Sequence, residues 1–353
     1  MKMITKGLIK SKKRILLYSL SIFIVVGGIY LSIAVALQIN TNQLKKNEII
    51  KNEERLLNVE QDILSYRIER VVSDGLYISD NLSANNLEND DFKNVENEWK
   101  SFADRKKIYD QIRYIDVEGN EKIRINYSES GSVAIVSEQL QNKKDRYYFK
   151  DTIGLKKNQT YISKLDLNIE NDEIEQPIKP MIRFSTPVFG QDGKLKGIVI
   201  LNYYAKNILQ QFEDVSQTSY GNMFLLNSNG YWVYNAEDKN KEWAFMYEDK
   251  KDVNFKNEFS KEWTIVNNNK GTFNTENGYY SYLNIISAID ILPNSTNVGN
   301  DSIVLGEGNW VAVSFIPKNR EIQLMIFTDI YTNTIYILKN HIFIFICILA
   351  LSI

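Results

Sequence analysis

The chain has 353 residues, of which 24% are charged, with a formal net charge of −2. That balance gives neither the basic field that nucleic acid requires nor an acidic tail, so no nucleic-acid partner is expected. The only cysteine, Cys347, and the only histidine, His341, both lie near the C-terminal end, which excludes disulfides, His-based triads and His-rich zinc sites from the polar middle of the chain. No catalytic residue, metal or cofactor is expected.

Lys2, Lys6, Lys10, Lys12, Lys13 and Arg14 precede the first apolar run with no acidic residue among them. The positive-inside rule therefore reads residues 1–14 as a cytoplasmic tail. Ile15 to Leu37 carries no charge and is long enough to cross a bilayer as a helix. Ala34-Val35-Ala36 has the form of a signal cleavage site, but the apolar run exceeds the roughly 7–15 residues of a signal core, which favours an uncleaved anchor. At the other end Ile342 to Ile353 is equally apolar. Residues 335–353 are read as the start of a second span, with a cytoplasmic output module expected beyond it.

Residues 40–83 continue as a long helix, because Ile49/Ile50, Leu56/Leu57, Ile63/Leu64, Ile68, Val71/Val72 and Ile78 recur close to the helix period. The alternate seam positions of a coiled coil would be Glu53, Glu60, Arg67 and Asp74, which are poor seam residues. The helix is expected to lie along a globular domain and to touch its mate in a homodimer. After a polar stretch from Ser83 to Asn97, Ile112 to Tyr127 alternates as a hairpin around Glu118-Gly119-Asn120. A helical segment is expected over Ser137 to Ile153. Strands follow at Thr160–Leu165, Met181–Val188 and Leu195–Tyr203.

A helix from Ala205 leads into a second copy of this plan. It has a strand-turn-strand at Met223–Asn235, a helix around Phe255–Val266, and strands at Gly271–Phe273, Tyr279–Ile286 and Trp310–Ile316. Leu292 to Glu307, rich in Asn, Ser and Gly, is read as a loop within that second unit. Each half is an α+β unit with an antiparallel sheet.

YDQIRYIDVEGNEKIRINY (Tyr109–Tyr127), LQNKKDRYYF (Leu140–Phe149), YISKLDLNIENDEIEQPIKPMIRFSTPVF (Tyr161–Phe189) and GKLKGIVILNYYAKNIL (Gly193–Leu209) together resemble the double Cache sensor domains of bacterial receptors. The closest look is to those on diguanylate cyclases and sensor histidine kinases. The resemblance implies a long N-terminal helix followed by two PAS-like modules, here 84–209 (membrane-distal) and 210–334 (membrane-proximal), with the ligand in the distal one. Amino-acid-binding relatives carry Arg-x-Trp-Tyr and an Asp near the last strand. Here the corresponding residues are Arg146-Tyr147-Tyr148-Phe149 and Asn202. An amide cannot neutralise an ammonium, whereas a guanidinium still suits a carboxylate.

Among the residues themselves, Arg146 beside Tyr147 and Tyr148 makes a cation with aromatic walls, or else a surface arginine with its aromatics in the core. Arg183 lies in an apolar strand and needs a partner, either Asp166 or Glu170 as a salt bridge or a ligand. Tyr161, Ser163 and Asp166 are candidates for the same pocket face. Asp166, Asn168, Glu170 and Asp172 have calcium-loop spacing, but Asn171 and Pro177 stand where Gly and Glu are required. The expected function is extracytoplasmic sensing: residues 40–334 outside the cell membrane bind a small carboxylate or other anionic solute, and the signal passes to a diguanylate cyclase or histidine kinase output. The alternative is a membrane-anchored interaction protein with a degenerate, ligand-free Cache fold.

Overall fold

The computed structural model describes residues 2–84, 92–170, 173–266, 270–285, 303–306, 310–323 and 329–352. Asn171 and most of the Leu292–Glu307 segment lie outside the described residues. Helix α1 (Lys2–Ala84) is unbroken from the basic tail through the apolar run and onward. Its apolar part has a mean hydropathy of 2.5 over an 18-residue window and is long enough to cross a membrane. Ile24, Val25 and Ile29 there are exposed. Further along, Leu57, Leu64, Ile68, Val71, Ile78 and Leu82 form one buried stripe in the main apolar core.

Glu53 and Glu60 lie on that buried stripe. Glu53 is fully engaged: its carboxylate accepts from Ser219 Oγ at 2.5 Å, Ser314 Oγ at 2.6 Å and the Tyr220 amide at 3.0 Å. Glu60 Oε1 has no hydrogen-bond partner among the described residues. Burial pushes the Glu60 carboxyl up to about 7, against the opposing pull of Arg67. A raised carboxyl binds its proton more tightly folded than unfolded, so stability is full below the unfolded value and is lost as pH rises through about 7. Glu60→Gln is expected to flatten that decline and, at pH 8, to stabilise by on the order of 1–2 kcal/mol. Thermal melts of both proteins between pH 5 and 8 check it, and parallel curves would show that Glu60 does not control the slope.

The chain forms two compact units, residues 1–52, 276–278 and 316–353 on one hand and 53–275 with 279–315 on the other. In the first unit, after α7 (Lys318–Gln323), α8 (Ile330–Asn340) and α9 (Ile342–Ser352) meet at a 70° bend; together they are long and apolar enough for a span. The bend falls at His341, within the residues 335–353 read as the start of a second span, and its ring Nδ1 meets Tyr30 OH at 2.5 Å.

The second unit holds α2 (Lys93–Lys106), then β1 (Tyr109–Asp116), β2 (Glu121–Ser128), β3 (Gly131–Ala134), α3 (Tyr147–Thr152), β4 (Thr160–Ile162) and β5 (Asp166–Leu167). A small hairpin of β6 (Ile169–Glu170) and β7 (Glu173–Ile174) precedes β8 (Pro180–Phe189), β9 (Leu195–Tyr204) and α4 (Lys206–Ser216). Then follow β10 (Asn222–Leu226), β11 (Trp232–Asn235), α5 (Phe255–Glu258), α6 (Ser260–Val266), β12 (Lys270–Asn274), β13 (Gly278–Asn284), β14 (Ile303–Leu305) and β15 (Val311–Pro317). Only the outermost residues of β13 and β15 fall in the first unit. The larger sheet runs β14-β4-β8-β9-β1-β2-β3, with β5 also on β8; the second runs β11-β10-β15-β13-β12. Phe224, Trp232, Phe255, Trp263, Tyr280 and Phe315 pack together as the second sheet's aromatic core.

Three elements differ from expectation. Helix α2 occupies part of the supposed polar stretch, burying only Val95, Trp99 and Ala103. Ser137–Ile153 is not one helix: a single 3-10 turn, Ser137–Gln139, gives way to extended backbone at Leu140 and Arg146 before α3. There the backbone bonds to β2 instead, through Glu121 N to Gln141 O at 3.0 Å and Gln141 N to Glu121 Oε2 at 3.0 Å. Finally, Ile303–Leu305 is a strand and not a loop. It pairs in parallel with Thr160–Ile162 at the edge of the larger sheet.

Candidate ligand-binding site

The larger sheet has two unlike faces, because side chains alternate along each strand and paired residues share a side. Ile112, Ile125, Ile162, Phe184 and Leu201 point to the core shared with α1. The opposite face is polar at its centre. One row across it reads Asn126, Gln111, Asn202 and Arg183; the next reads Arg124, Arg113, Ile200, Ser185 and Tyr161. Helix α3 covers this face, with Tyr148 and Phe149 packed on Ile115, Ile198, Ile200 and Tyr161.

Sequence reasoning named eight residues, and all lie on or beside this face. Arg183 is an internal anchor: Nη1 pairs with Asp166 Oδ1 at 2.7 Å and donates to Tyr147 OH at 3.2 Å, while Nη2 donates to Asn168 Oδ1 at 3.2 Å. Ser163 Oγ accepts from the Arg183 amide at 2.8 Å, and Tyr147 OH donates to Asp166 Oδ2 at 3.3 Å. Burial and the Asp166 carboxylate push the Tyr147 phenol up to about 12, despite the pull of Arg183. The Arg183 guanidinium also sits 5.8 Å over the Tyr148 ring. These residues form a self-compensated wall, and of the two carboxylates suggested by sequence it is Asp166 that pairs with Arg183.

Arg146 is different. It precedes α3 in extended conformation, its Nε is buried without a hydrogen-bond partner, and it forms no ion pair among the described residues. Its field and that of Arg113, together with burial as the largest cause, lower the Lys143 ammonium below its ordinary value. Arg113 Nη1 reaches Tyr148 OH at 3.4 Å, and its Nε lies 3.4 Å from Glu121 Oε1. Arg124 leans on the same Glu121 carboxylate at 3.3 Å. Arg113 and Arg124 thus share the buried Glu121 carboxylate, while Lys143 lies in the fields of Arg113 and Arg146 on one side and of Glu121 and Glu170 on the other.

Arg113, Arg124, Gln111 and Lys143 were missed from sequence. For the first three the signal was present: polar residues alternate with Ile112, Ile123 and Ile125 on both arms of the hairpin. Asn202 donates to Gln111 Oε1 at 3.2 Å, and its own Oδ1 is buried without a partner. Among the described residues, Arg113 Nε, Glu121 Oε1, Arg124 Nε, Asn126 Oδ1, Arg146 Nε and Ser185 Oγ are unpartnered by hydrogen bonds too. Buried polar atoms are normally satisfied, so their concentration on and beside one face sets it apart from the apolar face opposite.

Strand β14 closes the edge of this face. Val304 pairs with Tyr161 and packs on the α3 cluster, and the Gly306 amide donates to Ile162 O at 2.8 Å. A side chain at Gly306 would fall 2.0 Å from Tyr161 OH, so the segment lies directly against the pocket tyrosine.

Residues 52–298 match the family described as the sensor domain of bacterial histidine kinases. The chain belongs to that family. The fold of this sensor domain also recurs in solved structures. A domain of a protein described as sensory box/GGDEF family, from Vibrio parahaemolyticus, superposes with TM-score 0.60 at 19% identity, covering 81% of this chain and 99% of that one. The extracellular domain described as that of the histidine kinase vpHK1S-Z8 gives TM-score 0.60 at 20% identity, over 84% and 99%. The ligand-binding domain of the Campylobacter jejuni chemoreceptor Tlp3, in complex with L-valine, gives 0.52 at 10% identity, over 80% and 98%. No curated protein matches the chain. The Cache-like α+β fold expected from the sequence motifs is therefore the fold observed.

Proposed function

We propose that the polar face of the larger sheet binds a small carboxylate or related anion outside the cell, as the sensing site of a transmembrane receptor. The observation that carries this reading is Arg146, whose side chain has no ion pair or hydrogen bond among the described residues, next to other buried polar atoms without hydrogen-bond partners there. In water-poor surroundings a carboxylate offers such donors charge-assisted bonds that solvent cannot match. The Tlp3 domain, of similar fold, holds L-valine, which supports a small-molecule ligand for this chain. Asn202 in place of an acid argues against free α-amino acids. The two sheets support a distal (84–209) and a proximal (210–334) module, with β14 of the proximal segment lent to the edge of the distal sheet, and an output of histidine kinase or diguanylate cyclase type is proposed after the second apolar segment. The purified protein can be screened by thermal shift with acetate, pyruvate, succinate, L-valine, putrescine and glucose. Carboxylates without an amino group are expected to stabilise it, by about 2.7 kcal/mol at a hundredfold excess over Kd. Stabilisation by putrescine or glucose alone would defeat this reading.

The basic residues before Ile15 support a cytoplasmic N-terminus and sheets outside. In a Cys347→Ser background, Ser130→Cys lies in an exposed turn and should react with a membrane-impermeant maleimide in intact cells. Labelling only after lysis, with any outer membrane already permeabilised, would reverse the topology.

A further inference from the structure

On the α1 side of the larger sheet lies a second cleft, away from the face just described. It has a volume of about 560 Å³ and is walled by α1, the C-terminal end of α2 and Tyr203 of β9. Four cations line it (Arg67, Arg70, Arg105 and Lys106), against one lining carboxylate, Asp62. Lys106 is matched by Asp74 at 2.8 Å, and Arg67 Nη2 donates to the Gln211 amide oxygen at 2.8 Å. Arg70 rests over the Tyr66 ring at 5.6 Å and, like Arg105, has no ion pair or hydrogen bond among the described residues.

A cluster of surface cations alone would be a solvated face. Tyr203 makes this one different. The residue is 2% exposed and lines the cleft; the Arg67 guanidinium, which can only donate, lies at its oxygen, and its O–H has no acceptor among the described residues. Burial raises the pKa of this phenol, and the Arg67 guanidinium beside it draws it back. A buried O–H left unpaired is costly, unless an acceptor enters. The acceptor must be anionic to satisfy the arginines as well, and it must offer several oxygens in different directions. A tetrahedral oxyanion has that geometry, and guanidinium forks match it with paired N–H donors.

We propose that this cleft is a second ligand site of the protein, taking a phosphate or phosphoryl group between Arg70, Arg105 and the Tyr203 hydroxyl. It is independent of the carboxylate reading of the opposite face. The full chain in detergent, titrated with inorganic phosphate and with pyrophosphate by calorimetry and ³¹P NMR, tests it. Arg105→Gln, at an exposed helix end, should weaken binding about tenfold or more by removing one charge-assisted contact. Tyr203→Phe keeps the ring and therefore the core, so its melting temperature should hold or rise while phosphate affinity falls. Arg146→Ala should leave phosphate binding unchanged. Vesicles of anionic phospholipid form a parallel arm: binding there alone, lost in Arg105→Gln, would assign the phosphoryl group to a lipid headgroup. Equal phosphate affinity in wild type, Arg105→Gln and Tyr203→Phe would overturn the proposal, as would loss of binding in Arg146→Ala only.

Discussion

Replacing Arg146 by alanine is expected to cut affinity for the best carboxylate ligand by tenfold to more than a hundredfold, equivalent to roughly 1.5–3 kcal/mol. The size follows from the surroundings. Arg183, the other buried arginine expected to matter, is already held by Asp166, Tyr147 and Asn168. Arg146 has no such internal partner, so its charge is available to a ligand. The protein should remain folded, since the side chain is half-buried and contributes no internal bond. Calorimetry on wild type and variant reads the loss directly, and an unchanged Kd would remove Arg146 from the site. Asn202→Asp refines the test. A carboxylate beside Gln111 would supply the partner that an ammonium lacks, so L-valine affinity should rise while affinity for simple carboxylates falls. A variant that binds both ligands as the wild type does would show that residue 202 does not choose between them.

Replacing Gly197 by alanine should be the most damaging small substitution in the larger sheet. Gly197 opens the buried stretch of β9 at φ +152°, opposite Asp116 on β1 and Val188 on β8. An added Cβ would stand 2.1 Å from Ile115 O and 2.9 Å from the Asp116 Cα. Both are backbone atoms of a central strand, so neither can rotate away. The conflict, together with the unfavourable φ, should cost about 3 kcal/mol or more, lowering the melting temperature by roughly 6–12 °C for a unit of this size. Circular dichroism melts suffice as the measurement. A variant melting within a degree or two of wild type would mean that β1 and β9 can separate there without cost.

Much of the architecture could be read without coordinates because it rests on periodicity. The uncharged run Ile15–Leu37, the helical spacing from Ile49 to Ile78, and the alternating arms Tyr109–Asp116 and Glu121–Ser128 around Gly119 are local patterns. They act through burial of one face, and the observed elements follow them. Helix α2 escaped because its buried stripe is only Val95, Trp99 and Ala103 in an otherwise polar segment. The short β14 escaped because Ile303–Leu305 has no periodicity of its own. Its partner, Thr160–Ile162, lies far away in the chain, and only folding brings the two edges together.

The candidate site divides along the same line. By itself the sequence determined that Arg146 stands beside Tyr147 and Tyr148 and that Arg183 needs a partner; the family resemblance added that Asn202 stands where amino-acid-binding relatives carry an acid. Only the tertiary structure decided that Asp166 neutralises Arg183, because that pairing depends on the register of β5 against β8. Likewise, only β1–β2 and β1–β9 pairing turns Arg113, Arg124, Gln111 and Asn202 into one surface. Charge compensation is a property of neighbours in space. A sequence names the charges, but the sheet register decides which of them are cancelled and which remain for a ligand.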